Sequence, residues 1–329
     1  MRGNYLVVDL FSGAGGFSRG FELAGFNIVA AVENDPPVAK TYKANFPKTY
    51  LIADDIKGVS ERTIRDVSGL GRGDVDVVIA SPPCEPFTPT NRLRMKDPIN
   101  RILSDPIGQL YLHAIRVIGE LKPKYFVIEN VSGVAEGPIR SVIEGELRRN
   151  GYDRVYFNVM RSEKYGAANE RVRVFVSNVP LNPRTSRPVT VEEALSGLPE
   201  PGSAWPPNHD QPQPLSRRLE RKASRVGWGR AMITFEGADS RRFRNFIRLN
   251  PRLPAPTVMG SSRFLHPYED RLLTVREQAR LMGFPDYHVF LGGRDSQYNM
   301  VGEAVPVPVA KAIAEYIMEL LENGNGKGL

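Results

Sequence analysis

Tyr5-Leu-Val-Val-Asp-Leu-Phe-Ser-Gly-Ala-Gly-Gly16 is the stretch of sequence that decides the fold of this chain. Residues 5–10 are apolar enough to predict a buried strand, and the glycines that follow predict a tight turn over Phe11–Gly16. Apolar spacing predicts a helix over 17–24, then a strand over 27–32 and a proline-started helix over 36–45. This opening is typical of a parallel α/β sheet.

The alternation of strands and helices continues through residue 178. The sequence predicts further strands over 49–53, 75–80, 125–129, 155–160 and 172–176, and helices over 107–120 and 139–149. Such an order favours a mostly parallel sheet that is covered by helices on both faces. We assign residues 1–178 to this first domain.

The pattern changes after residue 178. Prolines crowd Pro180–Pro214 and arginines crowd Arg217–Arg252, which predicts a smaller, basic, loop-rich domain over 179–255. Regular structure returns over 256–329, with a helix over 274–282 whose Thr274 and Glu277 form a capping box, and a last helix over 308–321. Residues 323–329 are expected to fray.

Composition limits the class of protein. The chain has 329 residues, of which 41% are hydrophobic, so it can bury a large core. A single cysteine excludes a disulfide framework and favours a reducing compartment, and no stretch reaches the apolar length of a membrane span, so we expect a cytoplasmic protein that does not bind membranes. The net charge of +7 points only weakly to a polyanionic partner.

The lone cysteine lies in Ser81-Pro82-Pro83-Cys84-Glu85-Pro86-Phe87-Thr88, directly after the predicted strand over 75–80. Strand ends are where α/β enzymes place reactive groups, and flanking prolines fix a loop better than they fill a core. Cys84 is therefore a candidate nucleophile. The alternative is a small buried apolar residue, which is the more common role of a lone cysteine.

The glycine-rich turn is a candidate cofactor site. Its glycine spacing departs from the dinucleotide fingerprint, but Glu33 ends the second predicted strand, where a carboxylate can hold ribose hydroxyls. Asp55 follows the third predicted strand and can accept from an adenine amino group, while Phe11 can stack on a purine. The alternative is that the glycines only make the turn and the acids only cap the helices that follow.

Taken together, these segments resemble the cytosine-5 DNA methyltransferase family in motif order from Asp9 to Tyr316. The matching motifs are Asp9–Gly16, Glu33, Asp55-Ile56, Pro83-Cys84, Glu129-Asn130-Val131, Arg171-Val172-Arg173, His266–Pro285 and Gly302-Glu303-Ala304-Val305-Pro306. The resemblance implies a Rossmann-like methyltransferase fold, with cofactor binding and catalysis in residues 1–178. It also implies target recognition in 179–255, and a last helix that returns to the catalytic domain.

The resemblance further implies the ligands and the residues that hold them. S-adenosyl-L-methionine is the implied cofactor and duplex DNA the implied partner, with no metal ion. The implied cofactor-binding residues are Asp9, Phe11, Ser12, Gly13, Gly15, Gly16, Glu33, Asp55, Ile56 and Glu303. The implied catalytic residues are Cys84, Glu129, Arg171 and Arg173.

Each catalytic residue has an expected task. Addition of a Cys84 thiolate to cytosine C6 makes C5 nucleophilic, and a protonated Glu129 meets the charge that develops on N3. Arg173 is expected to favour the thiolate and reach the base carbonyl, while Arg171 organises Cys84 or a phosphate. The alternative for both arginines is a solvent-facing position on an edge strand. Since a duplex hides C5 and C6, we expect base flipping, with the loop 86–105 closing over the base.

Three positions depart from the family pattern. Glu85 and Asn169 stand where the family usually has Gln, and Glu303 stands where it usually has Asn. Two alternative functions stay open: a tRNA cytosine-5 methyltransferase, whose branch favours the Pro86-Phe87-Thr88 sequence after the cysteine, and a catalytically silent DNA-binding relative. We expect a monomer, and a cognate restriction endonuclease is a possible partner.

Overall fold

A seven-stranded sheet forms the centre of the protein in the computed structural model, which describes residues 4–325. The strands are β1 Leu6–Leu10, β2 Asn27–Val32, β3 Tyr50–Ile52, β4 Val77–Ala80, β5 Tyr125–Asn130, β6 Tyr156–Arg161 and β7 Val172–Ser177. Their order across the sheet is β3-β2-β1-β4-β5-β7-β6. All neighbours pair in parallel except β7, which is antiparallel to both β5 and β6.

Helices cover both faces of this sheet because alternate strand residues are apolar on each side. The helices are α1 Gly16–Ala24, α2 Pro36–Asn45, α3 Glu61–Ser68, α4 Pro98–Leu103, α5 Gln109–Leu121, α6 Gly137–Arg149, α7 Val191–Leu195, α8 Arg217–Ala223, α9 Val275–Leu281, α10 Arg294–Glu303 and α11 Val307–Asn325. Val8 of β1 points into the core formed with α3, α5 and α6. Val7 points into the opposite core, formed with α1 and α11.

The helices α1 and α11 lie unusually close, and glycine permits the approach. A methyl group at Gly20 would lie 2.3 Å from the Ala310 side chain, and one at Gly16 would lie 2.5 Å from the Val305 carbonyl oxygen. The last helix thus packs back on the first one, as the sequence predicts, although it begins at Val307 and continues to Asn325. The predicted fraying of the final residues falls largely on 326–329, outside the described residues.

A second, three-stranded sheet follows the proline-rich stretch. Its strands are β8 Ala231–Glu236, β9 Arg242–Arg248 and β10 Phe264–Leu265, in the order β10-β9-β8. With α8 it encloses a small apolar cluster around Leu215 and Leu265. The division of the chain at residues 178 and 255 stays a prediction.

The predicted fold class is confirmed: the sheet is mostly parallel, with helices on both faces. The sequence reasoning missed α3, α4, α7, α8 and α10, and it missed the strands of the small sheet. The capping box of α9 is present, with Thr274 Oγ1 accepting from the Glu277 amide at 3.1 Å. None of the helices within residues 4–325 is long and apolar enough to cross a membrane.

Candidate active site

The glycine-rich turn joins β1 to α1 at the carboxyl edge of the sheet. The Ser12 amide donates to Val32 O at 3.0 Å, which ties the turn to the end of β2. Phe11, Gly13 and Gly15 have φ values of +58°, +55° and +89°, so the backbone is left-handed at all three positions. A side chain at Gly15 would also collide with the Phe46 ring, 2.2 Å from where its Cβ would lie.

Glu33 closes this turn from the end of β2. Its Oε2 accepts from the Gly13 amide and its Oε1 from the Asp35 amide, both at 2.9 Å. Burial raises the pKa of the Glu33 carboxyl. Each carboxylate oxygen retains a free lone pair, so both can still accept from a ligand hydroxyl.

Asp9 lies under the turn instead of facing it. Its side chain is fully buried, and its Oδ2 accepts from Ser18 Oγ at 2.5 Å. Burial raises the pKa of Asp9 to about 8, and its Oδ1 has no hydrogen-bond partner among residues 4–325. Asp9 thus supports α1 from within the core, and its assignment to the cofactor site stays a prediction.

The adenine-site candidates follow β3. Asp55 is half-buried, and its Oδ1 accepts from the Lys57 amide at 3.0 Å. The Ile56 side chain is only 2% exposed and belongs to the core, and its carbonyl accepts from Arg116 Nη2 and the Val59 amide, so only its backbone amide remains available to a ligand. Gly16 likewise serves packing, since its Cα faces residues 304–305 of the chain.

One supporting residue of the turn escaped the sequence reasoning. His288 Nε2 lies 2.9 Å from Ala14 O, and its Nδ1 lies 3.4 Å from Arg19 Nη2. Burial lowers the pKa of His288 to about 3, so the ring is neutral, and these contacts favour the tautomer with the proton on Nε2. The imidazole thus connects the turn to the segment after α9. The two residues in contact, Ala14 and His288, are 274 positions apart in the sequence.

The catalytic candidates occupy the neighbouring strand ends. Cys84 follows β4 in a loop whose turn is closed by the Phe87 amide donating to Cys84 O at 2.9 Å. Glu129 lies near the end of β5, which pairs directly with β4. Asn130, which was not among the predicted site residues, donates from Nδ2 to Pro82 O at 2.9 Å and so fixes the Cys84 loop against β5.

The Cys84 thiol is held in its protonated form in this structure. Burial raises the pKa of Cys84 to about 11; the positive charge of Arg173 opposes that effect, and the negative charge of Glu85 adds to it. The expected stabilisation of the thiolate by Arg173 is present but smaller than the effect of burial. The thiol must therefore lose its proton as the substrate enters.

Glu129 and Arg173 form a buried ion pair beside Cys84. Arg173 Nε lies 3.0 Å from Glu129 Oε1, and the two side chains are 15% and 8% exposed. The N–H group is not aligned with that oxygen, since Oε1 has no hydrogen-bond partner within the described part of the chain. A misaligned pair leaves the carboxyl oxygen available to a further donor or acceptor.

Arg171 lies in the interior and not at the solvent-facing edge. It is 3% exposed, and its Nη1 donates to Val258 O at 2.6 Å and Gly302 O at 2.7 Å. Burial lowers its pKa to about 9, since a charged guanidinium is costly in the interior. Arg171 thus joins β7 to the segments around Val258 and Gly302, and its expected task of organising Cys84 or a phosphate stays a prediction.

The positions that depart from the family pattern lie close to this site. Asn169 is fully buried and donates from Nδ2 to Leu281 O at 2.7 Å, so it holds β7 against α9. Glu303 lies at the end of α10, and its pKa is raised to about 7 by burial and then by the charge of Glu85. The two glutamates thus influence each other across the crevice.

The residues at the turn fit a nucleoside cofactor with a cationic centre. The Ser12 hydroxyl is buried and unpartnered within the described residues, next to the turn that Glu33 closes. A side chain at Gly13 would meet no atom within 4 Å, so space is open beside the Glu33 carboxylate. Strand order places this turn, at β1, directly beside the Cys84 loop at β4, which is where ligands bind in such sheets.

The arginine-rich region is only partly a surface feature. Most of its arginines are exposed: Arg217, Arg218, Arg221, Arg225, Arg230, Arg241, Arg242, Arg244 and Arg252. Arg248 is instead 7% exposed and donates to the carbonyls of Val226, His266, Glu269 and Ala223. Arg248 holds the small domain together and is not available to a partner.

Within residues 4–325, no cluster of His, Cys, Asp and Glu side chains is arranged to hold a metal ion.

Comparison with known proteins agrees with this geometry. A profile of the family described as C-5 cytosine-specific DNA methylase matches residues 5–193 and 211–319. The chain is 42% identical over 364 residues to a Methanocaldococcus jannaschii protein named as a candidate type II methyltransferase, M.MjaORF1200P, with 96% of this chain and 98% of the relative aligned. It is 30% identical over 386 residues to the type II methyltransferase M.DdeI of Desulfomicrobium norvegicum, with 97% and 90% aligned.

Solved structures show the same fold. A crystal structure of a candidate DNA modification methyltransferase encoded within an Escherichia coli prophage superimposes with a TM-score of 0.77 at 26% identity, covering 97% of this chain and 100% of that one. The structure of the S. pombe Dnmt2 methyltransferase gives a TM-score of 0.67 at 19% identity, with 98% and 100% covered. The latter likeness concerns the fold alone.

Proposed function

This chain belongs to the C-5 cytosine-specific DNA methylase family and is a DNA cytosine-5-methyltransferase that uses S-adenosyl-L-methionine, and from that premise we propose how its residues act. The enzyme transfers the methyl group to C5 of a cytosine that has been flipped out of a specific duplex sequence, through a covalent bond between Cys84 and C6. The observation that carries the proposal is the position of Cys84 and Glu129 at adjacent strand ends, with Arg173 3.0 Å from the Glu129 carboxylate.

The cofactor supplies an electrophilic methyl group on a sulfonium when bound. Glu33 accepts from the ribose hydroxyls while its carboxylate stays anchored by the Gly13 amide. Phe11 and Ser12 line the same turn, Asp55 accepts from the adenine amino group, and Glu303 places negative charge near the cationic end of the ligand.

Covalent catalysis begins with Cys84. The thiol gives up its proton to water, its sulfur bonds to C6, the π electrons of the C5=C6 bond move toward C5, and a protonated Glu129 gives its proton to N3. C5 then takes the methyl group. Loss of the C5 proton to water and cleavage of the Cys84–C6 bond restore the double bond, the N3 proton returns to Glu129, and the Cys84 thiolate is free again.

Arg173 compensates charge at two stages. It lowers the cost of forming the Cys84 thiolate against the effect of burial, and it keeps Glu129 oriented in the crevice. A protonated Glu129 releases Arg173 from the ion pair and allows its guanidinium to donate to the base carbonyl. Arg171 acts indirectly, because its bonds to Val258 O and Gly302 O position the strand that carries Arg173.

DNA binding is assigned to the exposed arginines between Arg217 and Arg252, in the small domain over 179–255. Guanidinium groups bind phosphates strongly, while bases are read through the grooves. Residues 86–105 follow the nucleophile and carry Arg92 and Lys96 on their exposed side, so they are suited to cover a flipped base. We also propose a monomer in a reducing compartment such as the cytoplasm, with a cognate restriction endonuclease as its biological partner.

The test is covalent trapping. Duplex DNA that carries 5-fluorocytosine should form an irreversible complex with the wild type in the presence of cofactor, because fluorine replaces the C5 proton that must leave. The Cys84→Ala variant should form no such complex and transfer no methyl group, while it still binds DNA and cofactor. A second reaction, with labelled cofactor and tRNA in place of DNA, tests the alternative that the enzyme methylates tRNA. Trapping that persists in Cys84→Ala, or label on tRNA alone, would overturn the proposal.

A further inference from the structure

The loop that follows Cys84 is attached to the small domain. We call residues 88–97 the catalytic loop and residues 236–242, which join β8 to β9, the recognition turn. The Ala238 amide donates to Pro89 O at 2.8 Å, and Arg94 Nη2 donates to Asp239 Oδ2 at 2.5 Å. The Arg94 side chain is only 12% exposed, although it lies on a basic loop.

The recognition turn has a shape that this contact requires. A methyl group at Gly237 would lie 2.5 Å from Pro89 O, so only glycine allows the loop to approach. Asp239 and Ser240 both have φ of +56°, a left-handed conformation that is costly for residues with side chains. The bond from the Gly237 amide to Arg241 O at 2.8 Å and the stacked rings of Phe235 and Phe243 maintain this geometry.

The attachment continues to the nucleophile. Arg94 Nη1 also donates to Phe87 O at 3.3 Å, and the Phe87 amide bonds to Cys84 O at 2.9 Å. Phe87 is 1% exposed, and a methyl group at Gly133 would lie 2.7 Å from its carbonyl oxygen. Phe87 therefore has little freedom to move, and Arg94 connects it to Asp239.

An isolated surface ion pair contributes little to stability. In this pair the aspartate is 63% exposed, but the arginine is largely buried and shares its guanidinium with a backbone carbonyl on the catalytic side. The left-handed backbone at Asp239 and Ser240 is that of a tight hairpin turn, closed by the Arg241 amide donating to Ala238 O at 3.2 Å, and this turn presents the Asp239 carboxylate to Arg94. Both observations favour a positioning role over a chance surface contact.

We propose that the Arg94–Asp239 ion pair, together with the Pro89–Ala238 hydrogen bond, is the link through which the recognition turn holds the catalytic loop in place for methyl transfer. This inference rests on the proposed function of the Cys84 site. Arg94 and Asp239 are positioning residues: they set the rate at which a bound base reacts and leave cofactor binding unchanged.

The test compares Asp239→Asn with Asp66→Asn, a matched control that removes one carboxylate from an exposed ion pair on α3. Asp239→Asn should lower the single-turnover methylation rate about tenfold with the cofactor Kd changed less than about twofold. The control should react like the wild type. Asp239→Glu, which keeps the carboxylate opposite Arg94 and leaves the Arg94–Phe87 bond intact, should retain most of the rate.

Loop mobility gives a second readout that does not depend on activity. Trypsin should cut after Arg92 and Lys96 faster in Asp239→Asn than in the wild type or the control, with the melting temperature unchanged. Wild-type rate together with wild-type cleavage in Asp239→Asn would overturn the link. If the wild type itself fails to methylate DNA, the proposed function is wrong, while the cleavage comparison still decides whether the ion pair holds the loop.

Discussion

Replacing Asp9 with Asn should change how the stability of the protein depends on pH. Burial raises the pKa of Asp9 from 3.8 to about 8, so the folded protein holds a proton there at neutral pH while the unfolded chain does not. A raised carboxyl pKa gives stability that is present at low pH and is lost as pH rises toward the folded value. The amide introduced by Asp9→Asn would carry no charge in either state.

The size of the effect follows from the proton count. Between about pH 5 and about pH 7 the folded state holds about one more proton at Asp9, so the free energy of unfolding should fall by about 1.4 kcal/mol per pH unit. The wild type should therefore lose about 2.7 kcal/mol relative to Asp9→Asn over this interval. The amide oxygen of the variant still accepts from Ser18 Oγ, which lies 2.5 Å from the present carboxylate.

Urea unfolding of both proteins at the two pH values measures this difference directly. The pKa values of Glu33 and Glu303 are also raised, but their contributions are common to both proteins and cancel. Asp66→Asn, on the exposed side of α3, controls for the loss of a carboxyl group. Equal pH dependence in wild type and Asp9→Asn would refute the reasoning.

Three further predictions concern ligands. Glu33→Ala should weaken cofactor binding by about 1.5–3 kcal/mol, the value of a charge-assisted hydrogen bond, and calorimetry that finds unchanged affinity would leave Glu33 with a structural role only. Because the pKa of Glu303 is about 7, the affinity for the cationic cofactor should decrease as pH falls below 7, and fluorescence titrations should find a weaker pH dependence in Glu303→Gln. Affinity for duplex DNA should decrease steeply as the salt concentration rises. Arg242→Gln should reduce the slope of log K against log salt by about 0.9, the value for one phosphate contact. An unchanged slope would show that Arg242 does not contact the DNA backbone.

Local patterns predicted the central sheet well. Apolar runs followed by glycine or proline identified β1, β2, β4 and β5, and the strand-end positions of Cys84 and Glu129 predicted that the two lie close together. The helix α10 escaped because its buried residues Tyr298, Met300 and Val301 do not follow a helical spacing that stands out in sequence.

The missed contacts depend on chain segments that are distant in sequence. The strand β9 carries arginines at alternate positions and β8 combines apolar residues with Thr234 and Glu236, but the sequence reasoning interpreted this region only as a basic surface. The burial of Arg171 and Arg248 could not be predicted either. Their bonds go to backbone carbonyls, which every residue has, so no residue type in the sequence marks the partner.

The return of α11 to α1 also determines when the protein can complete its folding during synthesis. Val77, Ile79, Val127 and Phe175 of the central sheet belong to the same core as Ile313 and Ile317 of α11. While the ribosome is still making the recognition region, that face of the sheet is covered only by α1. The nascent catalytic domain therefore exposes apolar surface until the last helix emerges. Exposed apolar surface makes a chain prone to aggregate during that interval, which is when chaperones protect it.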